Sequence, residues 1–219
     1  MKKTYKAAVF DLDGTLINSL PDLAASGNIL LASYGMPPHP EDAYRYFVGN
    51  GWRKLVERIM PEADEGRVEE ALARYKAIYE GKMTERTKPY DGIPELLRGL
   101  RERGLALAVC TNKHVDAAKT LVEKYFPEGV FSVVEGDRPG VPKKPDPAHL
   151  RAVMERLGVK PEETLYLGDS GVDMETASRG GAYPVGVLWG FREKEELISC
   201  GAKLVIAKPE ELFEKFPFD

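Results

Sequence analysis

Two carboxylates one residue apart, Asp11 and Asp13, stand at the end of a short apolar run, Ala7-Ala8-Val9-Phe10, and are followed by Gly14 and Thr15. Such a run reads as a buried strand, along which side chains two apart point the same way. Both carboxylates should therefore leave the strand's C-terminal end close together, with the glycine permitting a sharp turn. Carboxylates held so close repel each other unless a cation lies between them, and an all-oxygen site suits Mg²⁺. The alternative is an ordinary polar turn, for which Asp-Gly is a common pair.

Three further stretches bear on that choice. The apolar run 105–110 ends in Thr111-Asn112-Lys113 at the entrance to a helical segment. A hydroxyl and backbone N–H groups placed there could take an anion, or could simply cap the helix. In Lys143-Lys144-Pro145-Asp146-Pro147 the prolines stiffen the loop, so at least one ammonium has a defined direction. It could offset a phosphate's charge, or belong to a surface basic pair. In Leu167-Gly168-Asp169-Ser170-Gly171-Val172-Asp173, Asp169 leaves a strand end and Asp173 opens a short helix. Alone, the first is a loop carboxylate and the second an N-cap.

Together these groups describe one reaction. A carboxylate nucleophile cannot approach a phosphate dianion without neutralisation, which Mg²⁺ and Lys144 would supply. Thr111 would hold the non-transferred oxygens. Asp13, if protonated, could give a proton to the leaving oxygen and later activate water. The outcome is phosphoryl transfer through an aspartyl-phosphate.

The elements that must position these residues follow from periodicity. Residues 20–79 are helical in pattern, with predicted helices near 20–34, 41–47, 52–60 and 65–79 and no strand-like run. Beyond the break at Pro89-Tyr90-Asp91-Gly92 the pattern changes. Strands at 105–110, 130–134, 164–167, 183–188 and 203–206 alternate with helices at 93–103, 115–125, 146–157 and 173–179. This alternation predicts an α/β fold, a parallel sheet covered on both faces that binds ligands at the C-terminal strand ends. A small helical unit is thus inserted after the first strand.

The chain has 219 residues, 43% hydrophobic and 30% charged, which allows one large domain or two modest ones. A net charge of −4 gives no general attraction to nucleic acid or an anionic membrane, so an anionic ligand needs local cations. The two cysteines, Cys110 and Cys200, form no CxxC pair and suggest no disulfide framework. No export signal or membrane-spanning run is evident, and a cytoplasmic location is expected. His39, His114 and His149 are scattered and are expected at the surface or as caps. Arg53 and Lys54 are read as a solvated helix face, and Cys110 as a buried strand residue.

With the motifs assembled, the sequence resembles the haloacid dehalogenase (HAD) superfamily. Asp11-Leu12-Asp13-Gly14-Thr15 is similar to its first motif, Thr111-Asn112 to the second, Lys144-Pro145 to the third, and Gly168-Asp169-Ser170 with Asp173 to the fourth. The resemblance implies a Rossmann-like parallel sheet core, residues 1–18 and 88–219, with an inserted α-helical cap, residues 19–87. It implies that Asp11 is nucleophile and Mg²⁺ ligand, and that Asp13 is general acid/base and offers its carbonyl to the metal. Asp169 is implied as a direct ligand and Asp173 as a support for the metal or Lys144. Thr111, Asn112 and Lys144 are the phosphate-binding set, with Lys144 taken over Lys143 because it precedes Pro145.

Within the insert, Val48-Gly49-Asn50-Gly51-Trp52 resembles the cap segment of phosphoglycolate phosphatases, which makes Gly49, Asn50 and Gly51 the candidates for specificity. The expected activity is Mg²⁺-dependent hydrolysis of a small phosphate monoester, 2-phosphoglycolate foremost, by a monomer or homodimer acting on neither nucleic acid nor membrane. The rival enzymes are a sugar-phosphate phosphatase, a β-phosphoglucomutase and a pyrophosphatase. A phospho-accepting signalling module is a rival of another class, opposed by Asp13, which would activate water where such a module has no adjacent acid/base.

Overall fold

The run Ala7-Ala8-Val9-Phe10 forms β1 (Ala7–Phe10), whose four side chains are fully buried because the sheet is covered on both faces. The computed structural model describes residues 5–216. After β1 the chain turns into β2 (Ile17–Asn18) and then four helices: α1 (Leu20–Ser33), α2 (Tyr44–Phe47), α3 (Trp52–Ile59) and α4 (Glu65–Lys82). It returns through β3 (Lys88–Pro89), which pairs antiparallel with β2.

Local chemistry explains the helical stretch. Pro21 occupies the first turn of α1, where its missing N–H has no consequence. Asp64 caps α4, its Oδ1 accepting the Arg67 N–H at 2.9 Å. Trp52, Leu55, Val56 and Ile59 give α3 one buried stripe, and both α1 and α3 pack on α4. Where the chain leaves and returns, the buried Asp22 accepts the Arg86 N–H (2.9 Å), the Thr87 N–H (2.8 Å) and the Thr87 hydroxyl (2.7 Å). That carboxylate fastens the foot of α1 to the strand entering β3.

The remainder alternates: α5 (Ile93–Glu102), β4 (Ala106–His114), α6 (Val115–Tyr125), β5 (Val133–Asp137), α7 (Ala148–Leu157), β6 (Thr164–Gly168), α8 (Gly171–Gly180), β7 (Tyr183–Val187), α9 (Lys194–Ser199), β8 (Leu204–Ile206) and α10 (Glu211–Lys215). Six strands form one parallel sheet in the order β5-β4-β1-β6-β7-β8. The chain builds β4 and β5 on one side of β1, then crosses to β6 on its other side. This reversal is a topological switch point, and the C-terminal ends of β4, β1 and β6 open onto a common crevice there.

The structure redraws some predicted boundaries. β4 does not stop at Cys110 but runs to His114 through a register irregularity, because pairing with β5 resumes at His114↔Asp137. β5 lies at 133–137 rather than 130–134, since Val130 closes a turn onto Pro127 and the ladder begins at Val133↔Ala108. α8 starts at Gly171, with Ser170 as its N-cap and Asp173 reaching back to the Ser170 N–H. β2, β3, α9 and α10 are too short for a periodic signal. No helix among the described residues is long and apolar enough to cross a membrane.

Candidate active site

Asp11 is the first residue past β1, and its N–H still bonds to the Leu167 carbonyl at 2.9 Å. The turn beyond it needs Gly14, at φ +86°, where a Cβ would stand 2.3 Å from Asp169 Oδ2. Gly190 closes the other side, where a Cβ would meet Asp169 Cβ at 2.3 Å. Asp169 Oδ2 accepts the Phe191 N–H (2.8 Å), and its Oδ1 faces the Thr15 hydroxyl (3.3 Å). Asp173 Oδ2 accepts the N–H (3.1 Å) and hydroxyl (2.6 Å) of Ser170. One carboxylate oxygen from each of Asp11, Asp169 and Asp173 lies within 4.8 Å of the other two.

Lys144 supplies the balancing charge. Its Nζ lies 2.9 Å from Asp11 Oδ1 and donates to Asp173 Oδ1 (2.6 Å), the Cys110 carbonyl (3.1 Å) and the Tyr166 hydroxyl (3.0 Å). Asn112 grips the main chain of Lys144 on both sides, accepting its N–H at 2.8 Å and donating to its carbonyl at 3.1 Å. Lys143 turns away and pairs with Asp137 at 2.9 Å. The inward lysine is Lys144.

The electrostatics are those of a crowded buried site. Burial pushes the Asp11 carboxyl up to about 6, against the pull of Lys144 and with the push of Asp173 and Asp13. Burial, then Asp173 and Asp11, holds Asp169 well above the usual carboxylate range. Burial opposes the Lys144 charge, but Asp11 and Asp173 outweigh it and raise that group. The buried Asp11 Oδ1 has the Lys144 ammonium, at 2.9 Å, as its charged neighbour. Three buried carboxylates gathered around a single lysine fit a hard divalent cation.

Asp13 faces elsewhere. Its Oδ1 accepts the Ser19 hydroxyl at 2.5 Å, and its two oxygens stand 2.9 and 3.0 Å from Lys113 Nζ. The carboxylate cluster therefore comprises Asp11, Asp169 and Asp173, without the side chain of Asp13. Thr111 is buried at the cavity wall, its Oγ1 accepting the Lys113 N–H at 3.2 Å. Asn112 is present too, but its side chain is spent on Lys144 and on the Gly49 carbonyl (3.0 Å).

Above these residues lies a cavity of about 40 Å³, roofed by the helical stretch. Gly49 and Gly51 line it; Asn50 does not, because its Oδ1 accepts Arg58 at 2.7 Å. Arg45 donates to the carbonyls of Gly190 (3.0 Å) and Phe191 (3.2 Å), while Arg192 donates back to those of Arg45 and Val48. Trp52 stacks on His114 with ring centroids 5.7 Å apart. Arg53 pairs with Glu65 and Glu69 and Lys54 with Glu57, an outer face as expected.

Sequence reasoning missed three parts. Lys113 is buried beside Asp13, and alternation with Thr111 would have found it had the strand been extended past Cys110. Tyr166 gave no signal, being one apolar strand residue among several. His149 is neither at the surface nor a cap: it is fully buried, with Nδ1 3.0 Å from the buried Glu135. Cys110 is buried as expected.

Residues 8–187 match the haloacid dehalogenase-like hydrolase family. The chain is 36% identical over 207 residues to a phosphoglycolate phosphatase of Pseudomonas putida, covering 92% of this chain and 76% of that one. It is 38% identical over 209 residues to a phosphoglycolate phosphatase of Rhodospirillum rubrum, covering 91% and 86%. Among solved structures, a predicted phosphoglycolate phosphatase from Haemophilus somnus superposes with a TM-score of 0.89 at 26% identity, covering 96% and 97%.

Proposed function

The chain belongs to the haloacid dehalogenase-like hydrolases and is a phosphatase, and on that premise we propose that it hydrolyses 2-phosphoglycolate with Mg²⁺ through a phosphoryl group carried on Asp11. One observation carries the reading. Asp11 stands at the floor of a roofed cavity, paired with Lys144 and grouped with two further buried carboxylates. The relatives' names supply the choice of ester.

We divide the chain into a sheet-bearing core, residues 1–18 and 88–219, and a helical cap, residues 19–87. The β2–β3 pair and the Asp22 staple support this division, since they mark where the chain leaves and re-enters the core. Mg²⁺, when bound by Asp11, Asp169 and the Asp13 carbonyl, neutralises the ester's charge and polarises the phosphoryl oxygens.

The chain's own groups do the rest. A carboxylate oxygen of Asp11 attacks phosphorus, and the bond to the ester oxygen breaks. Asp13 gives that oxygen its proton, then takes one from the water that attacks the Asp11 phosphoryl group. Lys144 offsets charge on Asp11 and the transferring group while Asp173 holds it in place. The Thr111 hydroxyl and nearby N–H groups bind the remaining oxygens. The helical roof keeps bulk water out until the leaving group has gone.

The test is phosphate release from 2-phosphoglycolate, β-glucose 1-phosphate and pyrophosphate, with Mg²⁺ and with EDTA. Selective, Mg²⁺-dependent release from phosphoglycolate is expected. Selectivity for either of the other two would retain the mechanism and discard the proposed substrate.

A further inference from the structure

We propose that Lys113 is the specificity residue of this site, its ammonium binding a carboxylate carried by the leaving group. The substrate class is then a short phosphate ester whose ester carbon itself carries the carboxylate. This rests on the reading of the site given above, and asks which group selects the ester.

The cavity wall holds two cations, Lys113 and Arg192. Arg192 is committed to the roof: Nη1 and Nη2 donate to the Arg45 and Val48 carbonyls, and Nε faces Glu196 at 3.4 Å. Lys113 is different. Its side chain is 1% exposed, and its Nζ sits between the Asp13 carboxylate and the Tyr79 ring, 4.6 Å from the ring centroid. Its carboxylate partner is Asp13, since the Asp11–Asp173 pair has an ammonium of its own in Lys144.

Position decides what Lys113 reaches. Asp13 must come within hydrogen-bond distance of the leaving oxygen to protonate it. An ammonium about 3 Å from Asp13 then lies beside the atoms attached to that oxygen. A carboxylate one methylene away would take one of the two hydrogens now shared with Asp13. That exchange frees an Asp13 oxygen for the leaving group. The rest of the roof is apolar, with Leu23, Val48, Trp52 and Leu55 facing the cavity. Several sugar hydroxyls would find no partners there, a cost that selects against polyols.

The experiment compares kcat and KM of the wild type, Lys113→Met and Lys113→Gln on 2-phosphoglycolate and on p-nitrophenyl phosphate, which has no carboxylate. Loss of a charge-assisted bond should lower kcat/KM on phosphoglycolate by roughly tenfold or more beyond any loss on the nitrophenyl ester, mainly through KM. Equal proportional losses on both esters, falling on kcat, would mean that Lys113 acts only through Asp13, and would overturn the proposal.

A wild type that cleaves p-nitrophenyl phosphate but shows no preference for phosphoglycolate would instead remove the substrate reading, and this inference with it. Inhibition of the wild type guards against variants that fail to fold. 3-Phosphonopropionate should bind at least about tenfold tighter than propylphosphonate, and equal inhibition constants would overturn the assignment.

Discussion

The floor and the roof of the cavity are built on opposite principles. The floor, Asp11, Asp169, Asp173 and Lys144, is held by short bonds from neighbouring main chain and from buried side chains. The roof is joined to the floor by a few bonds between distant segments, chiefly Arg45, Arg192 and Asn112. A densely bonded floor cannot rearrange without stranding a buried charge, whereas a sparsely bonded roof can lift and return. On the proposed mechanism, bonds would be made on the floor and admission of substrate would be left to the roof.

The sharpest test of the floor is Asp11→Asn, which removes the nucleophile and should lower phosphate release by a factor on the order of 10³ or more, followed by single-turnover assay. Retained turnover would mean that the floor is not where bonds are made. Lys144→Met should cost roughly 10² to 10³ in kcat. It should also destabilise the metal-free protein by about 3–5 kcal/mol in urea unfolding, since Asp11 and Asp173 lose their buried counter-ion.

Acidity gives a third test. The folded pKa of Asp11 is raised to about 6, above its unfolded value, so between about pH 4 and 6 the folded state binds more protons. Its contribution to stability thus falls as pH rises through that window. In EDTA, the melting temperature of wild type relative to Asp11→Asn should drop across the window, and added Mg²⁺ should cancel the drop. A flat difference would show that burial does not raise the Asp11 carboxyl.

The roof should respond more gently. Arg45 holds the Gly190 carbonyl, and the N–H of that same peptide plane holds Asp169. Arg45→Ala should raise the Mg²⁺ concentration for half-maximal rate by roughly three- to tenfold, about the worth of one charge-assisted bond. Asn50→Ala should change kcat/KM on phosphoglycolate by less than about threefold, because its side chain serves Arg58 within the roof. A larger effect at Asn50 than at Arg45 would reverse the assignment of roles.

The same contrast explains what could be read from sequence. Asp11 and Asp169 were visible because each directly follows an apolar strand, and Asp13 and Asp173 because they lie two and four residues further on. The parallel sheet was visible in the alternation of elements. Lys144 was told from Lys143 by its place before Pro145, while the Asn112 bridge that holds it comes from 32 residues away. Lys113 stayed hidden because β4 continues past its apolar run through pairing with β5. The roof's grip on the floor was beyond reach. Arg45 meets Gly190 across 145 positions, and no local pattern encodes that contact.

The two glycines around Asp169 also bear on how such a protein can change. Any side chain at Gly14 or Gly190 would displace a carboxylate at once, so random substitution near the floor mostly meets dead ends. At Gly49 an added carbon would meet only the tip of Arg192, 3.9 Å away, but the backbone at φ +104° would strain any side chain. Variation on the roof belongs instead at the cavity-lining Leu23, Val48 and Leu55. New substrate ranges should therefore be found by libraries confined to the roof and to Lys113. Descendants of this fold would diversify there while inheriting the floor unchanged.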